Sequence, residues 1–484
     1  MLKNDEIITG FLKEFAGLAK HPRPSHHEKE ISDYIVSRLH ELGVQDVVQD
    51  EVYNVIANVP ATVGCENWPL TLLQGHMDMV CVAKPGVDYN PQTSEIKLIV
   101  EGNVLRADGT SLGADDGVAE AMIFYVLQQD ISHGPLRLIF TVDEEVGMTG
   151  ATHLDPKYVA DVKYVINCDS EDINIICVSS AGSVHTDFRR TLQWQAPHSS
   201  KAVEITVKGL RGGHSGETIN EGKANAISAL ARILLHLQQA GIGYGLASIE
   251  GGVAANAIPA DASAVINIMT ADVARVQDVV MRAKSEFDLI YGNVETGAAF
   301  VVSEVPVPSR VFSDNDAKAV VQLLNILHFG VFAMNQILPK LPDLSANIGT
   351  IHVKENVLGI HYFSRGSADA RVRDLTMTLP VFAELTGFDV DIATPAPAWT
   401  RKEGSTLLPL IAEEYRNENK KEPQIEAIHG GLETGYFYAM NDKLDIVSIG
   451  PATHDIHSPN EWVELDSIAS LTRILMNTLE KLKA

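Results

Sequence analysis

The stretch Leu72-Leu73-Gln74-Gly75-His76-Met77-Asp78 decides the predicted fold, because a short apolar run carries a histidine and a carboxylate to its end. Residues i and i+2 of an extended segment point to the same side, so His76 and Asp78 can face one site. A carboxylate at this spacing holds an imidazole in one tautomer and orientation, which a catalytic metal site requires. On its own, a His-x-Asp triplet at a strand end is more commonly a surface polar cluster. The evidence for a metal site must therefore come from the rest of the chain.

The length and composition are those of a globular protein that repels polyanions. A chain of 484 residues is too long for one ordinary core and predicts at least two domains. Hydrophobic residues make up 45% and charged residues 21% of it, which is typical of a soluble protein. With 38 basic and 63 acidic residues the formal net charge is −25. This charge argues against nucleic acid and anionic membrane surfaces as partners.

The N-terminal residues and the cysteines predict a cytoplasmic protein. Residues 1–14 mix charged and apolar side chains in a way that is not typical of a signal peptide. No apolar run in the sequence reaches the length of a membrane span. The four cysteines form no C-x-x-C pair, and in a chain of this size they indicate reduced thiols.

The predicted helices and strands divide the chain into two domains. Alternating helix and strand patterns before residue 187 predict an α/β domain. The following residues have an α+β order that recurs, which indicates a diverged duplication of one unit. Pro395-Ala396-Pro397-Ala398 is typical of a linker, and the first pattern returns after it. We therefore predict one domain from residues 1–187 and 397–484, interrupted by a domain of residues 188–396.

Ligand-type side chains follow two further predicted strands and begin one predicted helix. Asp115 lies in a glycine-rich loop before a helix, where exposed N–H groups favour carboxylates. Glu145 and Asp169 each follow an apolar run. A lone Asp-Asp-Gly favours a capped helix start, and the fragment around Glu145 alone is equally typical of a solvated acidic loop. Because binding sites gather at the carboxyl ends of strands in open α/β sheets, their coincidence with His76 favours a site for divalent cations.

Two more features complete the predicted centre. Adjacent glutamates at a strand end can diverge, so that Glu145 binds metal while Glu144 stays free as a base. Near the C-terminus, an apolar strand precedes a loop that contains His454 and His457. At this point the sequence allows either histidine to be the ligand.

The ordered set of motifs resembles the two-zinc exopeptidase family of carboxypeptidase G, aminoacylase and carnosinase. The blocks that carry the resemblance span residues 75 to 461 and are GHMDMV, DGTSLGADDG, DEEVGMTGA, NCDSED, GGHSG, HGGLETG and HDIHSPNE. Each block is weak, whereas the ordered set is specific and covers nearly all of the chain. The resemblance implies an α/β fold with a central mixed sheet flanked by helices, an inserted α+β lid domain and a homodimer.

The resemblance also implies two Zn²⁺ ions per chain, for which Co²⁺ or Mn²⁺ can substitute. His76, Asp115 and Asp169 would hold one ion. Asp115, Glu145 and His457 would hold the other, so that Asp115 bridges the two. Asp78 would orient His76, and Glu144 would be the general base. The peptide bond between Asp115 and Asp116 is expected to be cis.

A second set of residues would bind the substrate. By resemblance, His214 polarises the scissile carbonyl, either in its own or in a partner's active site. Asn256, Arg365 and Gly431 would hold the substrate, with Arg365 on its carboxylate. The sequence alone also allows Asn256 to be a turn residue and Arg365 to form a surface ion pair.

These implications predict a cytoplasmic metallopeptidase for small dipeptides, preferentially Xaa-His dipeptides of the carnosine type. Two alternatives stay open at this point. The first is an N-acyl-amino-acid amidohydrolase of the same fold. The second is a non-catalytic metal- or peptide-binding protein, which the presence of Glu144 beside a full ligand set disfavours.

Overall fold

The computed structural model describes residues 3–338 and 341–483. It separates the chain into two compact units. The first unit comprises Met1–Ser179, Trp399–Ala427 and Leu432–Ala484, and the second comprises Ser180–Ala398 and Ile428–Gly431. Within the described ranges, no helix is both long enough and apolar enough to cross a lipid bilayer.

The elements are numbered in chain order. Up to residue 180 they are α1 (Asn4–Leu18), α2 (Lys29–Glu41), β1 (Asp46–Gln49), β2 (Val55–Val59), β3 (Thr71–His76), β4 (Leu98–Glu101), β5 (Val104–Ala107), α3 (Ala114–Val126), β6 (Leu136–Thr141), α4 (Glu144–Gly147), α5 (Thr149–His153), β7 (Tyr164–Asn167) and β8 (Ile175–Ser180). Up to residue 392 they are β9 (Gly182–Thr191), β10 (Trp194–Gln195), β11 (Lys201–Lys208), β12 (Gly213–His214), α6 (Ala226–Gln239), β13 (Tyr244–Gly251), β14 (Ala257–Ile258), β15 (Ala262–Ile268), α7 (Val273–Tyr291), β16 (Ala299–Val305), β17 (Val311–Phe312), α8 (Asp314–Ile326), β18 (Gly330–Met334), β19 (Pro342–Lys354), β20 (Val357–Gly366), α9 (Asp369–Thr376), α10 (Leu379–Thr386) and β21 (Asp389–Ile392). The last are α11 (Leu407–Asn419), β22 (Gln424–Ile428), α12 (Thr434–Met440), β23 (Asp445–Ser448), β24 (Thr453–His454), β25 (Trp462–Glu464) and α13 (Leu465–Leu479).

The first unit is built on a mixed sheet with the order β1-β2-β6-β3-β7-β23-β8-β22. Its central strands β6, β3, β7 and β23 are parallel, while β1 and β2 are antiparallel. In the register, Gly75 lies opposite Phe140, Gln74 opposite Asn167, and Asn167 opposite Ser448. The central strands therefore end at one edge of the sheet, and the segments that follow them meet there. The expected α/β fold with a central mixed sheet is confirmed.

Alternate residues of the central strands enter two apolar layers, as the period of two in a strand requires. Leu73 and Ile166 belong to the larger core, which includes buried residues of α1, α3, α11 and α13. Leu72 and Val165 belong to a smaller core with Trp399. Strands buried on both faces are continuous apolar runs, which explains why their sequences show no alternation with polar residues.

A smaller sheet in the same unit supports the C-terminal histidine loop. Its strands follow the order β24-β25-β5-β4, and all neighbours are antiparallel. Residues 455–461 connect β24 to β25. Both ends of this loop are thus fixed by strand pairing.

The second unit contains one continuous sheet with the order β16-β11-β15-β13-β19-β20-β9-β21, to which β18 adds beside β19. The strand pairs in it are antiparallel. Its apolar core includes buried residues of α6, α7, α8 and α10. The duplication expected within this region stays a prediction.

The close approach of the chain after β23 to the chain after β7 gives a test of this fold. A side chain at Gly450 would overlap the carbonyl oxygen of Ser170. We therefore expect Gly450→Ala to destabilise the protein by roughly 1–3 kcal/mol, because a backbone atom cannot move aside as a side chain can. Thermal unfolding of the metal-free protein measures the effect. Gly243→Ala is the control, since within the described chain no heavy atom lies within 4 Å of the added carbon; equal melting temperatures for the two variants would contradict the predicted overlap.

Candidate metal centre

The structure brings together the five side chains that the sequence analysis predicts as metal ligands, all of them in the first unit. His76 is the last residue of β3, and Asp115 lies at the start of α3. Glu145 lies in α4 directly after β6, Asp169 lies two residues after β7, and His457 lies in the loop after β24. Segments that are far apart in sequence thus converge at the edge where the parallel strands end.

Asp115 lies at the centre of this group. Its Oδ1 atom is 2.9 Å from Nε2 of His76, and its Oδ2 atom is 3.2 Å from Nε2 of His457. Asp169 Oδ1 lies 3.5 Å from Nε2 of His76, and Glu145 Oε2 lies 2.9 Å from Nε2 of His457. One carboxylate is therefore shared by two half-sites, each of which adds one histidine and one further carboxylate.

Asp78 fixes the orientation of His76. Nδ1 of His76 lies 3.1 Å from the carbonyl oxygen of Asp78 and 3.4 Å from its Oδ1 atom. When Nδ1–H donates to these oxygens, the Nε2 lone pair points to Asp115. The fully buried Asp78 carboxylate also accepts hydrogen bonds from the hydroxyl of Ser25 at 2.8 Å and from the amides of Glu144 and Glu145 at 3.0 and 3.3 Å. Asp78 thus holds both the histidine and the two glutamates in place.

The backbone around the central carboxylate is tightly packed. The peptide bond between Asp115 and Asp116 is cis, which confirms the expectation. The Asp116 carboxylate accepts the backbone N–H of His76 at 3.3 Å. A side-chain carbon at Gly75 would lie 2.5 Å from both Oδ2 of Asp116 and Cβ of Ala119. Gly75 of the GHMDMV block is therefore required by this close approach.

The electric field of the centre favours positive charge. Hydrogen bonds to Asp115 and Glu145 raise the pKa of His457 to about 11. Burial alone would lower the pKa of His76, but Asp169 and Asp115 raise it well above its usual value. Burial and the charge of Asp169 raise the pKa of the half-buried Glu144 well above its usual range. A cation placed among these carboxylates would be strongly stabilised.

The donor set fits divalent metal ions such as Zn²⁺. Ligand atoms of His76, Asp115 and Glu145 lie within 4.8 Å of one another, as do those of His76, Asp116 and Asp169. The first triplet combines residues of both half-sites, and the second contains Asp116, which was not predicted as a ligand. Oε1 of Glu145 is buried and, among the described residues, has no hydrogen-bond partner. Carboxylates this close repel each other unless a cation compensates them. Imidazole nitrogens combined with carboxylate oxygens are ligands that zinc accepts.

The predicted catalytic residue His214 and the three residues predicted to bind substrate, Asn256, Arg365 and Gly431, lie in the second unit. His214 is in β12, and the amide of Ser215 donates to the carbonyl oxygen of Asn256 at 2.8 Å. A carbon added at Gly216 would lie 3.2 Å from Nε of Arg365 and 3.2 Å from Cε1 of His214. The same carbon would lie 2.9 Å from the carbonyl oxygen of residue 429, two residues before Gly431. The side chains of His214 and Arg365 and the carbonyl oxygen of residue 429 therefore all lie close to Gly216.

Arg365 has the surroundings of an anion-binding residue. It is 6% exposed, and its Nε atom has no hydrogen-bond partner in the part of the chain that the structure describes. Burial lowers its pKa to about 10. The charge of Glu217 compensates only part of the cost of burying this guanidinium, so a bound carboxylate would stabilise it further.

Nδ1 of His214 lies 3.3 Å from the amide nitrogen of Glu217 and 3.4 Å from Oε1 of the same residue. When the amide N–H donates to Nδ1, the proton of the neutral ring lies on Nε2, which can then donate to a carbonyl oxygen.

Two buried residues of the HGGLETG block were not predicted from the sequence. His429 is 5% exposed and its Nε2 lies 2.7 Å from the hydroxyl of Ser345, which is paired with Arg365 across two strands. Glu433 is fully buried, and its carboxyl group accepts hydrogen bonds from Thr141 and Gln74 at 2.5 and 2.6 Å. The HGGLETG block contains both, but nothing in the letters indicates which positions are buried.

Comparison with known proteins gives consistent matches over nearly the full length. The profile of Peptidase family M20/M25/M40 matches residues 72–481. Cytosol non-specific dipeptidase of Escherichia coli K12 is 31% identical over 474 residues, which is 97% of each chain. The crystal structure of aminoacylhistidine dipeptidase from Vibrio alginolyticus superposes with a TM-score of 0.86 at 30% identity, covering 97% of this chain and 96% of that one. Aminopeptidase PepT of Bacillus cereus, at 17% identity, a TM-score of 0.59 and 98% coverage of both chains, shares the fold.

The cluster predicts that divalent ions stabilise the folded chain. We expect saturating Zn²⁺ to raise the melting temperature of metal-free protein by about 5–10 °C, since a ligand at 100 times its Kd adds about 2.7 kcal/mol at each of the two proposed sites. Asp115→Asn should remove most of this rise, because the central carboxylate serves both half-sites. Asp108→Asn, an exposed position in the same loop, is the control. Differential scanning calorimetry with and without zinc measures the rise in melting temperature of each variant. An undiminished rise in the Asp115 variant would contradict a central role for that residue.

Proposed function

From the premise that this chain belongs to Peptidase family M20/M25/M40, we propose that it hydrolyses dipeptides, preferentially Xaa-His dipeptides, with two zinc ions and a glutamate base. The chain is a peptidase related to dipeptidases over its whole length. The observation that carries the proposal is the position of Asp115 between two half-sites, with Glu144 anchored beside them through Asp78. The preference for histidine is supported by the structural similarity to the Vibrio enzyme, which is named an aminoacylhistidine dipeptidase.

Two zinc ions would be held by the five converging residues. His76 and Asp169 would bind one ion, and Glu145 and His457 the other, with Asp115 shared between them. Co²⁺ or Mn²⁺ can replace zinc in such a donor set. Bound ions of this kind supply Lewis acidity, which polarises a carbonyl and lowers the pKa of water.

Glu144 would act as the general base. Its amide is held by Asp78, and its carboxyl group stands beside the ligand Glu145 without being counted in either half-site. From this position it can take a proton from water and deliver it to the leaving amine. Its role needs no further cofactor.

The second unit would supply substrate recognition. Arg365 would bind the terminal carboxylate with its planar, two-pronged donor set, which limits substrates to short peptides. His214 would donate from Nε2 to the scissile carbonyl, in its own or in a partner's active site, and Asn256 and Gly431 would hold the peptide. We further propose a homodimer in the cytoplasm, where the name of the Escherichia coli relative places that protein.

A substrate panel tests the proposed reaction. We expect the zinc-loaded protein to cleave Ala-His and carnosine with a kcat/KM at least about 100-fold higher than that for N-acetyl-histidine. Ala-Leu in the same panel measures the preference for histidine. Faster turnover of N-acetyl amino acids would assign the chain to the amidohydrolases, and no turnover of any substrate by protein with two bound ions would indicate a binding protein.

Replacement of the base gives a second test. Glu144→Gln should lower kcat for Ala-His by about 10²–10⁴-fold, because the amide cannot accept the proton of the attacking water. Zinc content should stay near two per chain, since both half-sites are intact. Glu51→Gln, at an exposed position in the same unit, is the control. Atomic emission and steady-state kinetics on the same samples give both values; a Glu144 variant with wild-type kcat would refute its role.

A further inference from the structure

Glu461 is a buried carboxylate at the end of the histidine loop. It is 3% exposed, and it stands four residues after His457 and directly before β25. It is the last residue of the HDIHSPNE block, yet neither half-site of the metal centre includes it. Its neighbours show what it does in the fold.

The Glu461 side chain binds successive backbone amides at the start of α3. Its Oε2 atom accepts the N–H groups of Leu112 and Gly113 at 2.7 and 2.9 Å. Its Oε1 atom accepts the N–H groups of Ala114 and Asp115 at 2.7 and 3.4 Å. Both oxygens of one carboxylate are thus used on a single short segment.

These amides need an external acceptor. The first N–H groups of a helix have no partner inside it, and together they carry a partial positive charge that favours an anion. Asp115 itself has φ −85° and ψ 108°, so its backbone is not held in the helical conformation by the turns that follow. The carboxylate of Glu461 therefore fixes the segment from which the Asp115 side chain projects.

Glu461 also connects two parts of the metal centre. The loop that bears it carries His457, whose Nε2 lies 3.2 Å from Oδ2 of Asp115. The amides that it binds belong to the segment that carries Asp115. One side chain therefore links the segment that carries the shared carboxylate to the loop that carries a histidine of one half-site.

We propose that Glu461 is a positioning residue for metal binding, which holds Asp115 and the His457 loop in the arrangement that two divalent ions require. This inference rests on the proposed metal centre and extends it to a residue that contacts no ion. A carboxylate is needed here because Gln would turn an NH₂ group towards backbone donors and leave two of them without an acceptor.

The experiment compares Glu461→Gln and Glu461→Asp with Glu464→Gln. Glu464 lies three residues further along, is half exposed, and its carboxylate pairs with His454. Zinc affinity is measured by competition with a chromophoric chelator, and the visible absorption of the Co²⁺-loaded protein reports ligand geometry. We expect Glu461→Gln to weaken the binding of at least one ion by about 10–100-fold and to change the Co²⁺ spectrum. Glu461→Asp, which keeps the charge on a shorter side chain, should lie between this variant and wild type.

The results separate this inference from its alternatives. If metal-free Glu461→Gln melts lower while zinc affinity and Co²⁺ spectrum equal those of Glu464→Gln, the residue is a helix cap alone and the proposal is overturned. If the Gln variant does not fold, wild-type affinity in the Asp variant overturns it in the same way. Dipeptide hydrolysis by the wild-type samples reports the proposed function independently, because the affinity ratio does not depend on turnover. A wild-type chain that binds no divalent ion would overturn both.

Discussion

Mutual repulsion of buried carboxylates is the constraint on which this structure depends. Asp78, Asp115, Glu145 and Asp169 are drawn together where four parallel strands end, although like charges at such distances oppose folding. The protein offsets part of this cost with imidazoles and with backbone amides, which accept no proton and cannot move away. Bound cations would offset the rest of the repulsion between the carboxylates. The stability of the fold and the proposed chemistry therefore depend on the same electrostatic interaction.

Backbone amides donate hydrogen bonds to the clustered carboxylates at more positions than the motifs indicate. Asp78 binds the amides of Glu144 and Glu145, and the Glu28 carboxylate accepts the amide of Asp143 at 3.0 Å. Asp143 has a positive φ of 54°, a conformation that a free strand end would avoid. Side chains outside the ligand set thus impose the local backbone on the segment that carries two glutamates.

Local pattern was sufficient to predict the parallel strands and the residues at their ends, because each strand is a continuous apolar run followed by a polar turn. The same pattern predicted a helix after the Asp-Asp pair, and the regular turns of α3 follow the non-helical backbone of Asp115 and Asp116. The start of this helix depends on Glu461, more than three hundred residues away, and no local signal contains that contact. The buried state of Glu433 and His429 was missed for the same reason, since a glutamate or histidine in a glycine-rich segment is typically solvated. The individual ligands were assigned from the resemblance of the ordered motifs to a known family. The structure places those five residues close together.

The long sequence separation within the centre has a consequence for biosynthesis. Residues 112–115 meet residue 461 only after more than three hundred further residues have been translated. A nascent chain on the ribosome therefore lacks the carboxylate that orders the segment around Asp115, and it lacks His457 as well. In the proposed centre, the half-site of Glu145 and His457 can therefore be completed only after the loop that contains His457 has been synthesised, whereas His76, Asp115 and Asp169 all precede residue 170 in the sequence.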